Sequence, residues 1–392
     1  VLNRRTLFVR TAAAALVGQQ AGAKVLANAA TAATEGFGRG FDGHYERLPK
    51  LDLESRFDFI WGVQNWLSDN QSKAAAARAD EILNASGIDP AADASTQMAV
   101  DLLGNDPLIA AEVKLYLTAH QLKLAMLAHE FHGNEDFYLA EMDQAAQLGP
   151  GTLELNEKLR IPVDAQREIH AQPGGFNGDA FAGHIYRYGL VGLQSGHNFQ
   201  DENQKLIVAG IPMPPDGKVR RILDIGCGIG HISTAIKDRF PDAEVWAIDA
   251  SAPMLRYAHL RATEIGVAVK FAQRLGQDTR FPDNYFDVVA VIGAHHEMSP
   301  ETNQGIIREV ARILRSGGVY APMDVYTSEP IRKDAKNRFA NWWNHRWYHE
   351  DWKPAFAELD LRQEIRNAGM VAGDAPAIYD RKVPNIMGLK PA

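Results

Sequence analysis

The 392-residue sequence predicts an α/β fold, a doubly wound and mostly parallel sheet behind a helical N-terminal cap domain. Three observations predict it. From Lys218 onward, short apolar runs alternate with amphipathic segments, so the hydrophobic period switches between two and 3.6. From Leu51 to about Gln147 the helical period prevails and no strand pattern interrupts it. The first apolar run of the alternating half leads straight into a glycine-rich turn, RILDIGCGIGH at 221–231.

In chain order, residues 1–30 open on NRRTLFVR (3–10), with Arg4 and Arg5 ahead of Leu7 and Phe8. An acid-free stretch, TAAAALVGQQAGA, follows, and Ala27-Asn28-Ala29 supplies a small-residue cleavage pattern. This resembles a twin-arginine export signal, which implies a periplasmic destination. The alternative is a solvated basic helix on a cytoplasmic protein. The stretch is too short and too rich in Ala, Gly and Gln to span a bilayer, and no other segment offers about 18 uninterrupted apolar residues.

Residues 31–148 are read as the helical domain, its first twenty a glycine-bearing connector. The run at 107–131 spaces Ile109, Val113, Tyr116, Leu117, Leu124 and Leu127 at helical intervals. Pro107 suits a first turn, and Asn105 or Asp106 can cap it. Asn84 to Asp93, with Gly and Pro, separates two helices. Residues 149–217 are dense in Gly, His and Tyr without regular period, a loop-rich joint that covers the cofactor end of the next domain. Residues 218–392 form the α/β domain. VRRILDI, EVWAID, VAVKFA, FDVVAVIG and GGVYAPMDV are its strands. GHISTAIKDRF, SAPMLRYAHLRATEIG and ETNQGIIREVARILR are its helices. Ligands of such sheets bind beyond the carboxyl ends of the strands, where every motif below falls.

The apolar content of 46% is that of a soluble globular chain. A net charge of −8 leaves no basic surplus for a nucleic-acid binder held by phosphate contacts. The single cysteine, Cys227, excludes an internal disulfide and a cysteine-based metal cluster.

The glycine turn decides the cofactor class. In the dinucleotide fingerprint G-x-G-x-x-G the third glycine permits close helix–strand contact. Here Gly226, Gly228 and Gly230 are spaced G-x-G-x-G, and His231 occupies the third fingerprint position. Asp224, two residues before the first glycine, would repel a pyrophosphate and attract an ammonium or sulfonium group. LDIGCGIG resembles the first motif of class I S-adenosylmethionine-dependent methyltransferases, and later segments are similar in order and spacing. Asp249 in VWAIDAS matches the acid that grips the ribose hydroxyls, and FPDNYFDVV (281–289) the approach to the fourth strand. HHEMSPETNQGIIREVARILRSGGVY (295–320) is similar to the loop, helix and GG turn of the ubiquinone-biosynthesis-like branch.

The resemblance covers Val219 to Tyr326 and implies a Rossmann-like methyltransferase sheet with S-adenosyl-L-methionine as cofactor. It implies that Asp224, Gly226, Cys227 and Gly228 hold the aminoacyl end, and Asp249 the ribose. Ala250, Leu275, Gly276 and Gly293 complete the cofactor set. Where the family carries Gly-Asp-Ala, this chain has Arg274-Leu275-Gly276, so the aspartate that accepts the adenine amino group is absent. Leu275 is then expected on the adenine face, with Gln273 or Gln277 as polar contact.

His295 and His296 follow the fourth strand, and His296 is the candidate general base for methyl transfer to a small-molecule acceptor, or else a residue that organises the loop. HEFHGNED (129–136) lacks the H-E-x-x-H spacing of a zinc helix, so no metal is expected, and His129 and His132 are read as pocket-lining or structural. RFANWWNHRWYHEDW (338–352) holds four of seven tryptophans and either encloses an aromatic acceptor or buries the inter-domain seam. In GDAFAGHIYRYG (178–189), Tyr186 and Tyr188 are candidates to close over the sulfonium, with Arg187 turned away if the segment is extended. The alternatives to an enzyme are a non-catalytic S-adenosylmethionine sensor or scaffold and, with His231 counting against it, a nicotinamide-dependent oxidoreductase. Homo-oligomerisation is left open.

Overall fold

The computed structural model describes residues 41–42, 45–46, 48, 50–191, 201–324, 333–376 and 384–392. The export-signal reading of residues 1–30 lies outside them. A two-residue ribbon, β1 (Phe41–Asp42) and β2 (Tyr45–Glu46), precedes a helical layer. Helix α1 (Leu51–Trp66) passes through a π turn into α2 (Ser72–Ala85), and α3 (Thr96–Leu103) follows the expected Gly/Pro break. Helix α4 (Pro107–Gly133) starts where the sequence places it, with the Asp106 carboxylate accepting from the Leu108 and Ile109 amides and Pro107 in the first turn. Its buried stripe includes Ile109, Val113, Leu117, Leu124 and Leu127, and α5 (Glu135–Ala145) completes the layer. Among the described residues no helix is long and apolar enough to cross a membrane.

The joint is more ordered than its composition suggests. It contributes β3 (Thr152–Glu154) to the sheet edge, and then α6 (Ala182–Tyr186), which widens into a π turn at Arg187–Val191, and α7 (Glu202–Ala209). A three-residue strand is too short to show a period of two, which is why the sequence does not reveal it. The Tyr186–Tyr188 segment is therefore helical rather than extended.

The α/β half runs β4 (Arg221–Ile225), α8 (His231–Arg239), β5 (Glu244–Asp249), α9 (Ala252–Glu264), β6 (Lys270–Gln273) and β7 (Phe286–Ile292). Next come α10 (Pro300–Ile313), β8 (Leu314–Met323), α11 (Ala335–Trp343), α12 (Lys353–Glu358), α13 (Leu361–Asn367), β9 (Val371–Ala375) and β10 (Asn385–Leu389). The eight strands order as β3-β6-β5-β4-β7-β8-β10-β9, parallel from β3 to β8 and antiparallel at β10 and β9. Strand alternation sends Ile222, Val245, Phe271 and Val288 against α8 and α9. It sends Leu223, Ile248, Val289 and Tyr320 against α10 and α13. Both faces are covered, so the strands read as unbroken apolar runs. The order reverses between β4 and β7, and this opens the crevice that such sheets use for ligands.

The outer face of α9 meets the helical layer: Met254, Tyr257 and Leu260 share a cluster with Phe131, Phe181, Ile185 and Tyr188. Gly183 permits this approach, since a Cβ there would stand 2.4 Å from the Tyr257 Cβ. Gly183→Ala is expected to cost about 1–3 kcal/mol by overpacking, measured as a lower urea midpoint at unchanged slope. On the second seam, Phe339, Trp342, Trp343 and Tyr348 pack with Leu83, Leu103 and Ile109.

Candidate active site

The chain leaves β4 through a turn in which Gly226, Gly228 and Gly230 all have left-handed backbone, with φ of 72°, 52° and 72°. The Gly226 and Cys227 amides donate to the Ile248 carbonyl at 2.9 and 3.1 Å, which fastens the turn to the end of β5. Gly230 performs the packing task of the fingerprint's third glycine one residue early. A Cβ on it would lie 2.9 Å from the Phe271 ring and 3.0 Å from the Ala258 Cβ. His231 is thereby free to open α8 at the crevice wall.

Every sequence-predicted cofactor residue borders one cavity of about 540 Å³ at the carboxyl ends of β4, β5 and β7: Asp224, Gly226, Cys227, Gly228, Asp249, Ala250, Leu275, Gly276 and Gly293. His296 borders it too. Asp249 is the hub of the turn, with Oδ2 accepting from the Gly228 amide at 2.9 Å and Oδ1 from the Ser251 amide at 2.8 Å. Burial raises its pKa, and the amides of Ser251, Gly228 and Ala250 offset part of the rise. Gly293, φ 64°, has open space where its Cβ would point. Cys227 is buried, and its thiol is pushed up by burial, so it stays protonated.

Asp224, read from the sequence as a carboxylate that attracts an ammonium or sulfonium group, is enclosed. It is 1% exposed and accepts from Ser233 Oγ at 2.6 Å, and burial raises its pKa to about 7 despite that bond. The unfolded chain releases this proton near pH 4, so between there and pH 7 the folded state binds more protons than the unfolded. The contribution of Asp224 to the stability of the ligand-free protein therefore falls as pH rises across that window. Asp224→Asn is expected to flatten the decline by on the order of 3 kcal/mol. Urea unfolding at pH 5 and pH 8 measures it; an equal decline in both proteins would remove Asp224 as the source.

The paired histidines separate into different tasks. His295 is fully buried between the Asn303 Oδ1, 2.6 Å from its Nδ1, and the Tyr320 hydroxyl, 2.6 Å from its Nε2. Asn303 uses its amide N–H on the His295 and Met298 carbonyls, so its oxygen accepts from Nδ1–H and the Tyr320 hydroxyl donates to Nε2. His295 thus fixes the loop. His296 faces the cavity with Nδ1 2.7 Å from Asp324 Oδ1 and Nε2 3.1 Å from Glu297 Oε1. Burial pulls its pKa down, but the carboxylates of Asp324 and Glu297 prevail and raise it well above the ordinary value. Glu297 is held low, against its own burial, by His170 and His296.

Several residues here escaped the sequence reading. Asp324 directly follows β8, at a strand carboxyl end of the kind where ligands of such sheets bind. Glu297 directly follows His296. His170 and Glu350 come from irregular segments and Lys353 opens α12, none with a local signal of its own, yet all three border the cavity.

The remaining candidates divide between the cavity and the surrounding layers. Tyr186 borders the cavity, whereas Tyr188 lies in the helical core beside Phe57 and Phe131. Arg187 is buried with Asp201 at 3.6 Å. Gln273 is committed to the protein, its Nε2 donating to the Ala250 carbonyl and its Oε1 accepting from the Asn156 amide, so only Gln277 remains beside Leu275 at the cavity. None of the four clustered tryptophans borders the cavity; Trp342 and Trp343 bury the seam. His129 is exposed and His132 pairs with Asp179 at 2.9 Å, both away from the cavity, and no metal-binding cluster occurs among the described residues.

Residues 222–318 match a family profile described as "Methyltransferase domain". The chain is 36% identical over 110 residues to the uncharacterized methyltransferase YcgJ of Bacillus subtilis (strain 168), covering 28% of this chain and 42% of that protein. It is 34% identical over 128 residues to the ubiquinone/menaquinone biosynthesis C-methyltransferase UbiE of Burkholderia mallei (strain SAVP1), covering 32% and 51%. The chain thus spans about half the length of the curated relatives it matches. Among solved structures, the mitomycin 7-O-methyltransferase MmcR aligns over 73% of each chain at 13% identity with a TM-score of 0.43. Over residues 222–318 this chain is thus similar to a methyltransferase domain, set on a parallel sheet whose strand order reverses between β4 and β7.

Proposed function

We propose that the protein is a methyltransferase that moves a methyl group from S-adenosylmethionine to a small molecule enclosed between the α/β domain and the joint. One observation carries this reading: the glycine turn, Asp249 and the His296–Asp324–Glu297 group share a single cavity that His170, Phe176 and Tyr186 also line. Its volume lies in the range of small-molecule sites, about 300–1,000 Å³.

The residues present fit the cofactor. A carboxylate offers about four acceptor sites, and the two amide bonds to Asp249 leave room for ribose hydroxyls. The open face of Gly293 admits a ligand where any side chain would stand. Asp224 and the turn would face the aminoacyl end, and Leu275 with Gln277 the adenine. When bound, the cofactor supplies an electrophilic methyl group. The chain's own part is to orient the acceptor, exclude water and take up a proton, for which His296 is placed by Asp324.

Calorimetric titration with S-adenosylmethionine, its demethylated product and NAD tests the cofactor half. Micromolar binding of the first two, about −8 kcal/mol, supports the reading, and binding of NAD alone would replace it with a nicotinamide enzyme. A screen of small hydroxyl and amine compounds for methylated product tests the rest.

A further inference from the structure

Resting on the methyltransferase reading, we propose that Glu297, His170, Glu350 and Lys353 form a proton exit route from His296 to the surface. His170 is then a positioning residue, and the acceptor is a neutral hydroxyl or amine that gives up a proton on methylation. In that reaction the acceptor heteroatom bonds to the methyl carbon, and the sulfur–carbon bond breaks with its electron pair left on sulfur. The acceptor's proton passes to His296. A buried imidazolium must shed that proton before another turnover: Glu297 takes it from His296, His170 passes it from one ring nitrogen to the other, Glu350 receives it, and the Lys353 ammonium gives a proton to water and takes this one in its place.

The geometry is continuous. Glu297 Oε1 lies 3.1 Å from His296 Nε2 and 2.8 Å from His170 Nε2. His170 Nδ1 lies 3.6 Å from Glu350 Oε1, and Glu350 Oε2 lies 2.5 Å from Lys353 Nζ. Lys353 has the most exposed side chain of the five, at 19%. Glu297 Oε1 is within ionic reach of both rings but aligned with neither as a hydrogen-bond acceptor. A carboxylate so placed meets one ring or the other by a small rotation, which is how a shuttle works. The 3.6 Å step is the one that needs a side-chain adjustment or a bridging water.

The backbone at His170 argues that its ring is placed deliberately. His170 and Ala171 both hold left-handed conformations, φ 54° and 52°, which residues with a Cβ rarely adopt. Two separate elements hold this bend: His120 Nε2 donates to the His170 carbonyl at 2.8 Å, and the Ala171 amide donates to the Tyr348 carbonyl at 3.0 Å. The titratable groups around the His170 ring are Glu297, Glu350 and Tyr348, with His120 behind its carbonyl and His296 and Asp324 beyond Glu297. Cavity charge agrees with a neutral acceptor. Among the described lining residues, Asp249, Glu297, Asp324 and Glu350, with Asp224 half-protonated near neutral pH, face Arg274, Lys353 and the His296 imidazolium, a balance that still disfavours an anionic acceptor.

The test measures how fast water protons exchange with the His296 ring N–H, by saturation transfer in the full chain labelled with 15N-histidine. If the route exists, His170→Gln slows exchange at least about tenfold, and Glu350→Gln slows it in the same direction. A merely structural His170 gives the opposite sign, because loosening the joint opens the cavity and speeds exchange. Should His170→Gln lose its native circular dichroism, Glu350→Gln carries the test alone. Unchanged or faster exchange in the folded variants overturns the proposal. Titrating the same wild-type sample with S-adenosylmethionine keeps the two readings apart, since failure to bind would sink the methyltransferase reading whatever the exchange rates show.

Discussion

Asp249→Ala is expected to weaken S-adenosylmethionine binding at least about 100-fold, roughly 2.7 kcal/mol. A single hydrogen bond to a charged group accounts for about 1.5–3 kcal/mol, and this carboxylate serves two purposes at once. It is the acid the cofactor's ribose would meet, and it anchors the turn through the Gly228 amide while capping the start of the next segment through the Ser251 amide. Without it the left-handed Gly228 loses the bond that fixes its peptide plane, so the surface under the aminoacyl end loosens as well. The ribose is common to the cofactor and its demethylated product, so both should lose affinity by the same factor in parallel calorimetric titrations. Asp249→Asn keeps the shape and one acceptor oxygen and should lose less. An Asp249→Ala protein that binds within threefold of wild type would take Asp249 out of the site.

The meeting of the glycine turn and Asp249 at one cavity was legible because its geometry is local. The turn must follow a strand, glycines must occupy the left-handed positions, and the acid must end the neighbouring strand, all within the span from Arg221 to Asp249. The sheet was legible for a similar reason, since burial on both faces makes each parallel strand a continuous apolar run. What stayed hidden depends on long-range placement. β3 is a strand only because β6 offers its edge, with Leu153 opposite Phe271. His170 reaches Glu297 only because His120 and Tyr348, from two other parts of the chain, hold its strained bend. The sequence left the conformation of the Tyr186–Tyr188 segment open. It folds as helix because α4 and α9 offer Ile185 and Tyr188 a shared apolar cluster, which turns Tyr186 to the cavity and Tyr188 away from it.

His296→Gln is expected to lower the rate of methyl transfer about 10²–10⁴-fold and to leave cofactor affinity unchanged. The argument rests on the division of its two ring nitrogens. Nδ1 faces Asp324, whose side chain is fully buried, and this fixes the ring's orientation and favours a proton there. Nε2 faces the cavity and Glu297, and is the nitrogen an acceptor would meet. Because the two carboxylates outweigh burial and raise the pKa of His296, the neutral base is scarce in acid solution and accumulates only as pH rises past the ordinary histidine value, about 6.5. The rate should therefore rise with pH along a limb above that value. Asp324→Asn removes one of the two supporting charges and should move the limb to lower pH, at the same time lowering the plateau because a weaker base drives proton transfer less. Those opposite movements distinguish a base from a residue that only shapes the loop. With the acceptor delivered by the screen, a flat pH profile and near-normal turnover in His296→Gln would leave His296 as a wall of the cavity and nothing more.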